Sequence, residues 1–310
     1  MQISSAFRQV LPYFPLQLQT ALRRIPEEQA VQIQEIRLRI GRNLHIVTQG
    51  TERVVTQEGA FASEPADGLR ISRQLMDTVF QNLSSHSMHS VLGTVRLGFI
   101  TVAGGSRAGI CGTAVMQQTS LDSLRAVSGI NLRIASERIG CADALIQRLG
   151  GIQYLGGILL AGPPSSGKTT LLRDIARILG ERYRVSLLDE RGELAAVSNG
   201  VPQYSVGIQT DVFDGYPKAQ AISISLRVMS PQYIICDEIG SEAETEAMLQ
   251  SLHTGTSFIA SAHAGSADEL YRRPQLRLLF QSGVFHTVVM LHSGAECGAV
   301  AAVVPVRQAG

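Results

Sequence analysis

Gly162-Pro163-Pro164-Ser165-Ser166-Gly167-Lys168-Thr169 decides how this chain is read. The run meets the phosphate-loop pattern G-x-x-x-x-G-K-[ST] at every required position. Its flanks agree. Gly157-Ile158-Leu159-Leu160-Ala161 leads in as a short buried strand, and residues 170–179 lead out with apolar residues at helical spacing. Gly180 stands where a helix C-cap is expected. Backbone N–H groups of a glycine-bounded loop, aided by the positive end of the next helix, cradle an anion. The nucleotide-binding set is therefore Gly162, Pro163, Pro164, Ser165, Ser166, Gly167, Lys168, Thr169 and Thr170. Lys168 is expected to reach the β and γ phosphates, and the Thr169 hydroxyl to complete a Mg²⁺ shell. The chain holds two lysines, Lys168 and Lys218, against 25 arginines. A lysine kept at this one position points to a compact charge that arginine does not supply. A chance glycine-rich turn is the competing reading, and the flanking strand and helix count against it. The expected ligands are ATP and Mg²⁺.

A length of 310 residues suggests about two domains. A net charge of +1 gives no electrostatic case for nucleic acid as the obligate partner. No window approaches the roughly 18 uninterrupted apolar residues of a membrane span, and no secretory signal is visible at the N-terminus. The cysteines Cys111, Cys141, Cys236 and Cys297 are scattered through apolar contexts. They read as buried free thiols of a reducing compartment, so a cytoplasmic protein is expected.

The first 48 residues read as mainly helical, ending in 34–41, whose strict polar/apolar alternation is a strand signature. Residues 49–68 read as a loop or small hairpin, and 69–83 as a helix. Residues 95–102 and 108–115, around Gly104-Gly105, read as a hairpin, and 126–140 as a further strand. Cys141 to Leu149 reads as a short helix closed by Gly150-Gly151. From about 152 onward strand and helix alternate, which implies a mostly parallel sheet covered by helices. Strands are expected at 157–161, 184–188, 233–237, 257–261 and 286–291, with 299–305 a further candidate. Residues 198–218 are turn-rich and are expected to form an active-site loop. The expected domains are 1–140, a smaller α+β domain bearing the Gly-Gly hairpin, and 141–310, a nucleotide-binding core.

Gln232 to Glu238 is an apolar strand ending in two carboxylates. Asp237 there would hold Mg²⁺ through water, and Glu238 would polarise the attacking water. The second acidic run, Asp189-Glu190-Arg191-Gly192-Glu193, follows a strand as well. Strand C-terminal ends gather at the ligand crevice of a parallel sheet, so Asp189 and Glu190 are expected to approach the phosphates. His263, just past another strand end, suits a γ-phosphate sensor, although a structural histidine is the plainer alternative. Arg227 lies upstream of Ser230-Pro231 and is a candidate phosphate contact, with a solvated salt bridge competing. His86 and His89 have metal-like i, i+3 spacing but no acidic or cysteine partners nearby.

In this order the phosphate loop, both carboxylate clusters and the post-strand histidine resemble the type II/type IV secretion ATPase superfamily. That resemblance implies a hexameric ring motor with a RecA-like P-loop NTPase core. Asp189–Glu193 is similar to its Asp box, Ser261–Ala264 to its His box, and Arg227 to its arginine ahead of a Pro-containing turn. Residues 35–42, 98–109, 130–135, 210–212 and 226–240 together resemble the stage III sporulation AA family of endospore-forming bacteria. This narrower resemblance covers about residues 10–295. It implies a mother-cell ATPase, peripheral at the membrane facing the forespore, that powers a transmembrane channel with membrane-embedded partners. Ser106 departs from the histidine that family often carries there. Secretion ATPases also send an arginine from the N-terminal domain to a neighbour's γ phosphate; Arg107 is the candidate, with Arg96 second. Glu190 would assist Glu238.

Three rival readings compete with this one. A small-molecule kinase shares the loop, but Asp237-Glu238 favours activated water over a substrate hydroxyl. An ABC-type subunit needs a signature segment resembling Leu-Ser-Gly-Gly-Gln, which the chain lacks. A nucleic-acid-dependent RecA-like ATPase is the serious alternative, left open by arginine-rich segments 132–138 and 272–277; salt-dependent binding would favour it.

Overall fold

Alternation in the first half becomes strand β1 (Ile33–Arg39), where Ile33, Ile36 and Leu38 are buried and the charged residues between them are not. The computed structural model describes residues 3–62, 67–84, 99–117, 120–294 and 298–306. His86, His89, Arg96 and Cys297 lie outside the described residues. The chain clusters into two compact units, Met1–Glu137 with Ser198–Gln203, and Arg138–Val197 with Tyr204–Gly310.

In the first unit, helices α1 (Ile3–Val10), α2 (Leu16–Arg24) and α3 (Glu27–Ala30) precede β1. Then come β2 (His45–Thr48), β3 (Thr51–Val55), β4 (Phe61–Ala62), α4 (Arg73–Leu83), β5 (Phe99–Thr101), β6 (Arg107–Gln117) and β7 (Ser120–Arg133). The sheet order is β4-β3-β2-β1-β7-β6-β5, antiparallel throughout. The hairpin read around Gly104-Gly105 is β5–β6, and the small hairpin read in 49–68 is β3–β4. Helix α4 starts on Ser72, whose hydroxyl accepts from Leu75 N–H, and buries Met76, Val79 and Leu83.

The second unit runs α5 (Asp143–Leu149), β8 (Ile158–Gly162), α6 (Lys168–Gly180), β9 (Val185–Asp189), β10 (Thr210–Asp214), α7 (Lys218–Val228), β11 (Tyr233–Cys236) and α8 (Glu242–Leu249). It continues with β12 (Ser257–His263), α9 (Ala267–Arg272), α10 (Pro274–Gln281), β13 (Thr287–Leu291) and β14 (Val300–Pro305). The order is β10-β9-β11-β12-β8-β13-β14, parallel except for the β13–β14 pair. Every residue of β8, β9 and β11 is buried, as expected of strands covered on both faces. Alternate residues feed two cores: Leu159 and Ala161 pack with α7, α8 and α10, while Ile158 and Leu160 pack with α5 and α6. Each such aliphatic contributes about 1.5–3 kcal/mol by leaving water.

Three expectations need correction. Residues 198–218 are not one loop, because 210–214 form β10. As an edge strand paired only with β9, β10 tolerates Asp211 and Asp214, the residues that made it look like a turn. Gly180 is the last helical residue, and no left-handed cap follows it. Its value is steric: a Cβ there would stand 2.5 Å from Val206 O and strike the Thr210 hydroxyl. Cys111 is exposed on β6, whereas Cys236 is buried and Cys141 half-buried. Burial pushes the thiol of Cys141 to about 11 and that of Cys236 to about 12.

Candidate nucleotide site

Strand order builds the site. β12 lies between β8, which leads into the phosphate loop, and β11, which ends in the two carboxylates. Neighbouring strands are about 4.8 Å apart, so side chains at the end of β12 reach both neighbours. Register sets which ones: His263 lies beside Gly162, and Ala260 beside Cys236.

The loop after β8 turns through positive φ at Ser165 (59°) and Gly167 (88°) before α6 begins at Lys168. Such turns make successive N–H groups converge into an anion-binding nest, at a helix start of 13 residues. Lys168 is 5% exposed. It donates to Gly162 O at 2.9 Å and Pro163 O at 2.8 Å, and lies 3.2 Å from His263 Nδ1. Burial holds this lysine below its ordinary range, with the Asp237 and Glu238 charges pulling it back.

Thr169 Oγ1 donates to Asp237 Oδ2 at 2.7 Å. The other Asp237 oxygen accepts from the Ser261 hydroxyl and from Glu238 N–H at 3.0 Å. A hydroxyl and a carboxylate in contact supply hard oxygen ligands. Mg²⁺ held with phosphates and water needs no more from the protein. Among the described residues no group of three His, Cys, Asp or Glu forms a protein-only cage. The residues therefore fit a Mg²⁺ that arrives with a phosphate ligand.

Glu238 has φ 46°, a left-handed conformation costly for a side chain with a Cβ. Its Oε1 lies 2.7 Å from His263 Nε2 and its Oε2 accepts from Arg191 at 2.6 Å. An imidazole with its proton on Nε2 satisfies both contacts of His263, accepting from Lys168 and donating to Glu238. Partial burial raises the Glu238 carboxyl, but the His263 hydrogen bond and the charges of Arg191 and Lys218 outweigh it. Glu238 is held below the ordinary carboxylate range.

The first acidic run divides its labour. Asp189, expected from the sequence to approach the phosphates, has its carboxylate occupied by its own loop. It is 2% exposed, and its two oxygens accept from the N–H groups of Glu193, Leu194, Ala195 and Ala196 at 2.7–3.3 Å. Asp189→Asn is expected to replace one acceptor by a donor and orphan two buried N–H groups. The expected loss is about 2–4 kcal/mol, read from denaturant midpoints. Glu190 borders a small cavity with Asp189, Arg191, Lys218, Asp237 and Glu238. Arg227 is not brought to the cluster: it is exposed in the last turn of α7, about 13 Å along the axis from Lys218. Arg107 belongs to the first unit, where its guanidinium lies 4.9 Å from the centroid of the Phe99 ring.

The profile of the family described as "Sporulation stage III, protein AA" matches residues 13–309. The chain belongs to that family. Within the family, the Stage III sporulation protein AA of Bacillus subtilis (strain 168) is 33% identical over 298 residues, 94% of this chain and 93% of that protein. Among solved structures, the pilus retraction motor PilT with bound ADP superposes with a TM-score of 0.55. That match has 16% identity and covers 83% of this chain and 74% of that one. The Legionella pneumophila ATPase DotB gives 0.51 at 14% identity, over 84% and 72% of the two chains. The chain thus shares the fold of the RecA-like secretion ATPases. Among the described residues, no helix is long and apolar enough to cross a membrane.

Sequence reasoning did not find Lys218, Ser261 or Arg191 as site residues. Lys218 had a usable signal, since both lysines of the chain lie in this one site. Ser261 and Arg191 stood inside recognised boxes without a role.

Proposed function

We propose that this family member binds and hydrolyses ATP with Mg²⁺, and that the energy drives a transmembrane channel joining mother cell and forespore during endospore formation. The observation that carries the reading is the set of contacts that ties the phosphate loop to the acidic strand. Lys168 meets His263, His263 meets Glu238, and Thr169 meets Asp237, at 3.2, 2.7 and 2.7 Å. Residues 162–170 bind the phosphates, with Thr169 and Asp237 as the Mg²⁺ ligands. Glu238 orients the attacking water, and Glu190 lines the adjoining cavity. His263 links the catalytic carboxylate to the phosphate-loop lysine, which makes it sensitive to what the lysine holds. Bound Mg²⁺ neutralises charge on the phosphate oxygens.

The working form proposed is a homo-oligomeric ring, a hexamer, in the mother-cell cytoplasm. It acts peripherally on membrane-embedded channel proteins. Arg107 of one copy serves the site of its neighbour, an arrangement that a head-to-tail ring supports. The test is steady-state ATPase activity against protein concentration, followed by mixing of variants. Specific activity should rise with concentration, and Arg107→Ala should lose roughly 10³-fold in rate. A one-to-one mixture of Arg107→Ala with Lys168→Ala should recover about a quarter of wild-type activity. That is the random share of ring interfaces pairing an intact loop with an intact arginine. An inactive mixture, or activity independent of concentration, would refute the shared site. Salt-dependent stimulation by DNA or RNA would favour the nucleic-acid motor instead.

A further inference from the structure

Lys218 is the other lysine of the chain, and its surroundings are unusual for a cation. It opens α7 directly after Pro217, at the end of a helix where the dipole disfavours positive charge. Its side chain is only 8% exposed, although lysine is rarely buried without partners. Four partners surround the ammonium. It donates to Asp237 O at 3.0 Å and to Glu238 O, and lies 3.3 Å from Glu244 Oε1 and 3.6 Å from Glu190 Oε2.

These contacts have one geometric effect. The two carbonyls belong to the two residues that leave β11, and the second of these residues is the left-handed Glu238. From the amide side that turn is fixed by Glu238 N–H, which donates to Ser261 Oγ at 2.9 Å and to Asp237 Oδ1. From the carbonyl side it is fixed by Lys218. Glu244 steadies the lysine in turn: its other oxygen accepts from Gly240 and Ser241 N–H, at 2.9 and 3.0 Å, within the capping box of α8. A flexible ammonium can serve two converging carbonyls and two carboxylates from one point, whereas a planar guanidinium would spread its donors. That accounts for a lysine here in a chain that otherwise uses arginine.

We infer that Lys218 is a positioning residue: it clamps the backbone turn after β11 so that Asp237 faces Thr169 while Glu238 faces His263. The inference rests on the proposed ATPase reading for its kinetic consequence, but its structural consequence is readable without nucleotide. In nucleotide-free protein, the His263 ring resonance, assigned with His263→Asn, reports the Glu238 contact. Glu238→Ala defines its position when the contact is lost.

Lys218→Met is expected to move the His263 resonance to the Glu238→Ala position. Affinity for a fluorescent ATP analogue should stay within about threefold, because the phosphate loop is untouched, while kcat falls roughly 10²-fold, the scale of a misplacement near 1 Å. A His263 resonance left at its wild-type position in Lys218→Met overturns the inference. If wild type itself fails to hydrolyse ATP, the proposed function fails, and the resonance still decides the role of Lys218. Should Lys218→Met melt below the assay temperature, Lys218→Arg carries the test, since it keeps a cation for Glu190 and Glu244. The same displaced resonance is expected there, and a wild-type resonance with wild-type kcat overturns the inference.

Discussion

Lys168→Ala is expected to weaken ATP binding by roughly 10²–10³-fold and to leave no measurable turnover. The size follows from where the ammonium sits. It is buried, it starts α6, and two carbonyls and His263 surround it. A buried cation that meets phosphate contributes on the order of 3–4 kcal/mol, which converts to that range of affinity. Alanine leaves the Gly162 and Pro163 carbonyls without this donor and removes the positive charge from the phosphate loop. Lys168→Arg should not restore binding, because a planar fork does not fit the point where these acceptors converge. Titration with a fluorescent ATP analogue checks both variants, with circular dichroism confirming that they fold. Unchanged affinity in Lys168→Ala would mean that the loop does not hold the phosphates.

How far the sequence foretold this site depends on the kind of residue. The phosphate loop was legible because its chemistry is local: glycines, a lysine and a hydroxyl within eight positions, flanked by a strand and a helix. β8, β11 and β12 were legible as apolar runs, and their ends marked Asp237, Glu238 and His263. What joins them was not. That β12 separates β8 from β11 is a fact of sheet order, and only that order brings His263 within reach of both Lys168 and Glu238. Asp189 shows the converse limit. Its position at a strand end suggested phosphate contact, yet its carboxylate is used up by four backbone N–H groups of its own loop. Burial of an acid can follow from anchoring a turn as readily as from catalysis, and spacing does not separate the two. Strand β10 was hidden for a related reason, since an edge strand carries the polar residues and turn formers that read as loop.

Glu238→Gln is expected to bind ATP within about threefold of wild type while kcat falls by roughly 10²–10⁴, the range of a lost general base. The isosteric change leaves Lys168, Thr169 and Asp237 with their partners, so affinity should persist. Two things change at the carboxylate. It loses the charge that Arg191, His263 and Lys218 keep ionised, and it gains an NH₂ where an acceptor stood. Both oxygens of Glu238 now accept, one from Arg191 and one from His263, and a glutamine can satisfy only one of these donors. In the wild type each oxygen keeps a second lone pair that can accept from water, and release of one partner frees another. Arg191 is the partner that gives way at least cost, because its side chain is 66% exposed and such pairs contribute only about 0–1 kcal/mol. The His263 bond is kept, and with it the link to Lys168. Arg191→Ala should therefore leave kcat within about threefold of wild type or raise it, whereas Glu238→Gln removes hydrolysis. Single-turnover measurements on the two variants separate these effects from product release. Wild-type turnover in Glu238→Gln would take water activation away from Glu238 and leave Glu190 as the carboxylate to test next.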